Sequence, residues 1–269
     1  IPKTTLVASV RNSYLKYLLE LLDINVRPQY WDYQFKLAHS FNNNNIIKIN
    51  MIGSNDKTEI HDLNSDNILD ISQNDQEPIM RQNSLTLGAT WRRTSKNEKK
   101  LIITTLSRSQ FSNYFKRFAD NVNENDLLFS HKSTTNKTYL SSTFNSYFRN
   151  STLSLGFKIQ HLNYLVESKS SVLQNFDYVN DLNFNRVGFH LGLKGNNELG
   201  NLFYDIGVRL DSDSFLLESN LIDHISPRAS FKVYLSNKTF INTSLGIYFR
   251  MPPVTALGFK ENDNNVNRN

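Results

Sequence analysis

Between His224 and Pro253 apolar and polar residues alternate through two arms joined by Ser236-Asn237-Lys238. Ala229, Phe231, Val233 and Leu235 fall on one side of the first arm, and Arg228, Ser230, Lys232 and Tyr234 on the other. The second arm sets Ile241, Thr243, Leu245, Ile247, Phe249 and Met251 against Asn242, Ser244, Gly246, Tyr248 and Arg250. Successive side chains of a strand point to opposite faces, so a period of two makes a ribbon with one apolar and one polar face. Ser-Asn-Lys supplies turn chemistry, and the arms read as a β-hairpin. Each arm is long for a globular strand and near the length a tilted strand needs to cross a bilayer.

A ribbon of this kind can be set in two ways. In a soluble sandwich the apolar face covers a core; in an outer-membrane barrel it meets lipid and the polar face lines a wet lumen. Arg228, Lys232 and Arg250 stand mid-strand on the polar face among small residues, which favours the barrel.

The rest of the chain repeats the pattern. Strands are expected at Thr4 to Val10, Trp31 to Phe41, Ile46 to Ser54, Leu85 to Trp91, Leu101 to Arg108, Thr138 to Phe148, Leu153 to Gln160, Val187 to Lys194 and Leu202 to Asp211, followed by the hairpin. Tyr14 to Leu22 has a helical spacing of apolar residues inside a connection. Short turns near 42–45, 94–100, 149–150, 195–200 and 236–238 alternate with long polar connections near 11–30, 55–82, 109–136, 163–185 and 211–225. Along a meander this places every short turn at one end and every long loop at the other, the asymmetry of bacterial outer-membrane barrels. A sandwich has no need of it. The expected fold is all-β: an antiparallel up-and-down transmembrane barrel segment of about eleven strands, too few and of the wrong parity to close alone. Both ends of the 269 residues read as cuts through a longer protein.

Apolar residues make up 39% of the chain, with 18 Phe and 12 Tyr; a hydrated interior behind an aromatic-rich wall has that composition, as does a large soluble β protein. With no Cys, disulfides and thiolate chemistry are excluded. The net charge of +5 is spread singly or in pairs, so no nucleic-acid partner is expected. No run of apolar residues is long enough for a transmembrane helix, which has no bearing on a barrel.

Ile1-Pro2 through Arg11-Asn12-Ser13-Tyr14, then Trp31-Asp32-Tyr33-Gln34-Phe35-Lys36-Leu37 and Gly53-Ser54-Asn55-Asp56, resemble the early barrel of TonB-dependent outer-membrane receptors of the Bacteroidota type. Ser226-Pro227-Arg228, Tyr234-Leu235-Ser236 and Gly246-Ile247-Tyr248-Phe249-Arg250-Met251-Pro252-Pro253 are similar to that family's mid-barrel hairpin. The resemblance implies a wall of about 22 strands around a plugged lumen, of which residues 1–269 supply about half. It also implies a bacterial outer-membrane location, energised uptake of a scarce ligand (a metal chelate, vitamin, peptide or glycan), and outer-membrane lipid and the TonB system as partners. The plug and the TonB-contacting box have no counterpart in the sequence. A passive porin-like or adhesin barrel shares every strand feature, and a soluble carbohydrate-binding β protein would share the alternation.

No catalytic or nucleotide-binding motif is present, and no cofactor or enzymatic activity is expected. His39, His61, His131, His161, His190 and His224 lack ligand spacing. Asp211-Ser212-Asp213-Ser214 with Glu218 only faintly suggests a calcium loop and lacks its glycine; it reads as a solvated external loop. Lys158, Lys194, Asp205, Arg209, Lys232 and Arg250 are the polar-face charges. Asp205, Arg209, Lys232 and Arg250 are the candidates for contact with a ligand or with the plug. Tyr30-Trp31, Tyr114-Phe115 and Tyr164 are expected near loop ends as a headgroup girdle.

Overall fold

A computed structural model of the chain describes residues 3–22, 24, 26–60, 77–172, 176–214, 224–249, 253, 254 and 257. They form one antiparallel sheet whose strand order follows the sequence: β1 (Thr4–Asn12), β2 (Val26–Asn42), β3 (Asn45–Ile60), β4 (Ile79–Thr94), β5 (Lys100–Asp120), β6 (Asn125–Tyr147), β7 (Ser151–Ser170), β8 (Phe176–Asn196), β9 (Leu202–Asp213), β10 (Ile225–Tyr234) and β11 (Phe240–Gly246). Every strand pairs with its sequence neighbours, as the expected meander requires. β1 and β11 are not paired with one another among the described residues, and the sheet is open.

The short turns close as their residues demand. Asn42 faces Asn45 in register, and the Asn44 N–H donates to Asn42 Oδ1 at 2.9 Å, a two-residue hairpin built on asparagine. In the β8–β9 turn Asn197 Oδ1 accepts the N–H groups of Asn201 and Leu202, each at 3.1 Å. Gly200 there has φ 69°, a left-handed conformation natural to glycine.

At the other end the structure corrects the expected lengths. The polar stretches near 109–136 and 163–185 are mostly strand: β5 and β6 are joined by residues 121–124, while β7 runs to Ser170 and β8 begins at Phe176. The strict contrast between short turns and long loops therefore fails at these two connections. The strands instead project far past the apolar segment.

Register exposes why. Residues of one parity form an unbroken apolar row, Leu6–Leu37–Ile49–Ala89–Leu106–Leu140–Ile159–Val187, across β1 to β8. A second row, Leu153–Leu193–Ile206–Ala229–Leu245, continues it through β11. Between the rows the apolar centre moves from Ile159 to Leu153 and from Val187 to Leu193, toward the short turns. A band of constant height crossing tilted strands moves in this way. Phe189, Leu191, Leu193, Ile206 and Val208 are all exposed on this face; no second sheet among the described residues covers them.

Beyond the band the polarity of β7 and β8 inverts. His161, Asn163 and Asn185 now occupy the Leu191 face. The opposite face carries Leu162, Tyr164, Val166, Leu182 and Phe184, which are buried with Leu257 in the main apolar cluster. Asn180 Nδ2 donates to the Leu257 carbonyl at 3.1 Å. The projecting strands thus resemble a water-soluble sheet, apolar within and polar without. Tyr164 belongs to that cluster and not to a girdle.

The helical spacing at Tyr14 to Leu22 is realised as α1 (Leu15–Leu21), between β1 and β2.

Candidate functional site

The face opposite the apolar band holds the candidate charges, because it takes the alternate residues of the same strands. Lys194, Asp205, Ser230 and Ser244 form one row across β8 to β11. The next row is Phe203–Lys232–Asn242. Asp205 and Lys232 line a concavity of about 500 Å³ with Lys194, Phe203, Arg149 and Asn150, at the short-turn end. Lys232 Nζ lies 4.3 Å from the Phe240 ring centre and 4.6 Å from that of Tyr234. Such cation–π contacts are worth about 0.5–1 kcal/mol at exposed sites, and they hold the ammonium in place above the wall.

Arg209 belongs to a different group. Its Nε lies 2.6 Å from Asp211 Oδ2, and its Nη2 donates to Asp211 Oδ1 at 3.2 Å. Lys158 Nζ reaches the same carboxylate at 3.0 Å, and Arg186 Nη2 stands 3.9 Å from it. Asp211 is buried. Three cations around one carboxylate leave the group with excess positive charge. Gly188 separates Lys158 from Asp211 in register, and His190 lies over Gly156 one step away.

Of the four candidates, the structure therefore brings Asp205 and Lys232 together and sends Arg209 into the Asp211 group. Arg250 lies outside the described residues. Arg186 was missed because it lies just before the expected strand start at Val187; its parity with Gly188, His190 and Lys194 was the available signal. The sequence reading of 211–214 as an external loop is corrected through Asp213, which ends β9. The Asp211 carboxylate is engaged by cations of the wall, and Glu218 lies outside the described residues. Among the described residues no group of three or more His, Asp or Glu is placed to hold a metal.

The Leu191 face has its own marked sites. Both tryptophans of the chain, Trp31 and Trp91, lie on it and are exposed. Register places Trp91 with Thr104 and Ile47 at the short-turn edge of the band. Trp31 stands with Asn12 and Asn55 at the other edge. Tyr33 lies over Gly53 and Tyr204 over Gly195 on the same face, where a glycine leaves room for the ring.

No protein-family model matches the chain, and none of the curated proteins does. Solved structures do. The chain is similar to the copper transporter OprC, with TM-score 0.63 and 10% identity over 87% of this chain and 38% of that one. It is similar to the ferric enterobactin receptor PfeA of Pseudomonas aeruginosa, with TM-score 0.59 and 12% identity over 82% and 33%. The siderophore receptor PirA of Acinetobacter baumannii matches with TM-score 0.57 and 11% identity over 84% and 34%. The chain spans about a third of the length of each. At these identities the likeness establishes the fold: an antiparallel up-and-down wall like that of outer-membrane receptor barrels.

Proposed function

We propose that residues 1–269 are part of the barrel of a TonB-dependent receptor in a bacterial outer membrane. The receptor takes up a scarce nutrient by an energised route: a metal chelate, vitamin, peptide or glycan. The Leu191 face meets lipid, and the Asp205 face lines a lumen that a plug fills.

One observation carries this reading: an apolar face that runs through all eleven strands, exposed or half-buried along its length with no second sheet over it among the described residues, and with an exposed tryptophan at each edge. An exposed apolar face of that extent is unfavourable in water. Facing hydrocarbon it is favourable, and indole rings belong at the two headgroup levels. The short sequence motifs and the named functions of the similar structures support the transport part of the reading. In that setting Asp205, Lys232, Arg209 and Arg250 meet the plug or the ligand, and TonB acts through the plug.

Uptake tests it. Cells expressing the complete protein are given radioiron chelates, cobalamin, oligopeptides and oligosaccharides one at a time. One probe is expected to accumulate above its external concentration, and a protonophore is expected to abolish that accumulation. Equilibration that ignores the protonophore would mean a passive barrel.

A further inference from the structure

α1 turns an apolar stripe away from the protein. Tyr14, Tyr17, Leu18 and Leu21 recur at i, i+3, i+4 and i+7, one face of a helix. Their exposures are 77%, 63%, 46% and 82%. Leu15 and Leu19, on the other side, are half-buried, and the helix packs against β2.

The helix is strapped to a definite place. Lys16 Nζ lies 2.9 Å from Glu59 Oε2, and Arg27 Nη1 lies 3.5 Å from Glu20 Oε1. Arg27 Nε also donates to the Ile24 carbonyl at 3.1 Å, and Gln29 Nε2 donates to Glu59 Oε2. Arg27, Gln29 and Glu59 have the parity of Trp31, Phe35 and Met51 on their strands. α1 therefore lies over the Leu191 face, outside the wall, and not over the charged face.

Its height follows from register. Gln29 pairs with Lys57 and Arg27 with Glu59, just beyond the Trp31–Asn55 pair. At about 3.3 Å per residue these rows lie roughly 7 and 13 Å along the strand from Trp31, and less in height on a tilted strand. The headgroup zone extends roughly 5–8 Å beyond each side of the hydrocarbon. The stripe thus continues the apolar band upward into that zone, and two of its members are tyrosines, which favour the interface.

We propose that α1 is an interfacial anchor on the outside of the barrel: Tyr14, Tyr17, Leu18 and Leu21 seat in the headgroup and upper acyl region of the surrounding outer leaflet. This rests on the membrane-barrel reading above. The occupant is bilayer lipid, because the stripe adjoins the band already assigned to lipid and faces away from the wall.

The absence of Cys from the chain allows single-site labelling. Leu21→Cys, Leu191→Cys and Val172→Cys, made in the complete protein, carry an environment-sensitive fluorophore. Each is reconstituted in phosphatidylcholine vesicles containing a lipid with a nitroxide at a shallow acyl position. The Leu21 label is expected to be quenched by the nitroxide lipid and to be at least about twofold less accessible to iodide than the Val172 label, as for a helix seated in the interface. If the Leu21 label matches the Val172 label while the Leu191 label is lipid-quenched, the anchor proposal fails and the barrel reading stands. Protection of Leu21 from both quenchers means a protein covers the stripe, and also overturns the proposal. If the Leu191 label escapes lipid quenching, the barrel reading itself fails.

Discussion

Lys158 on β7 reaches Asp211 on β9 at 3.0 Å by lying across Gly188 of the strand between them. A Cβ at position 188 would fall on Asp211 Oδ1 and Lys158 Cε. Gly188→Ala is expected to lower stability by about 1–3 kcal/mol, the usual cost of overpacking. Urea titration in vesicles, followed by the fluorescence of Trp31 and Trp91, reads the loss. An unchanged midpoint would mean that the bridge has room to spare.

The two ends of the Arg209–Asp211 contact differ in weight. Asp211 holds three cations with a side chain 10% exposed, whereas the Arg209 side chain is 36% exposed. Asp211→Ala leaves Lys158, Arg186 and Arg209 facing one another in a place largely shielded from water. Breaking a buried pair in this way costs about 3–5 kcal/mol. Arg209→Ala removes a half-exposed partner and is expected to cost about 0–1 kcal/mol. The same urea titration separates them, and equal losses would contradict the assignment of Asp211 as the centre of the group.

Glu59 gives the attachment of α1 a pH limit. Hydrogen bonds from Lys57 and Lys16 hold its carboxyl at about 2, against an ordinary 4.5. A lowered carboxylate pKa contributes stability that is complete above the ordinary value and lost as pH falls through the lowered one. The strap should hold at pH 5 and release between about 4.5 and 2. A fluorophore on Leu19→Cys, beneath the helix, is expected to report the release in that window. Glu59→Gln should remove the transition; if it persists unchanged, another carboxylate is the strap.

The sequence showed the fold wherever alternation coincided with the exposed apolar band. Leu202 to Leu210 on β9 and Val187 to Leu193 on β8 read correctly, because inside the band the apolar parity is constant. It misled where the parity changes meaning. At Leu162 and Phe184 the apolar residues cross to the other face, and the polar outer residues His161, Asn163 and Asn185 then read as loop. The site was half legible for a related reason. Parity alone put Asp205, Arg209 and Lys232 on one face. Which of them meet depends on inter-strand register, and that comes from hydrogen-bonded pairing and not from any one strand's pattern. Arg186 was lost along with the true start of β8.

The central claim is that the Leu191 face meets lipid and the Asp205 face meets water or a polar plug. Val208 and Arg209 are adjacent and test it together: Val208 pairs with Leu191 and Pro227, Arg209 with His190 and Ser226. A charge on the lipid face near the midplane costs roughly 2–4 kcal/mol, and a residue on the wet face escapes that cost. In the complete protein, Val208→Arg and Ile206→Arg are expected to reduce the heat-modifiable folded band on a gel strongly, while Arg209→Ala and Asp205→Ala leave it largely intact. Equal tolerance of Val208→Arg and Arg209→Ala would contradict the face assignment and the membrane reading that rests on it.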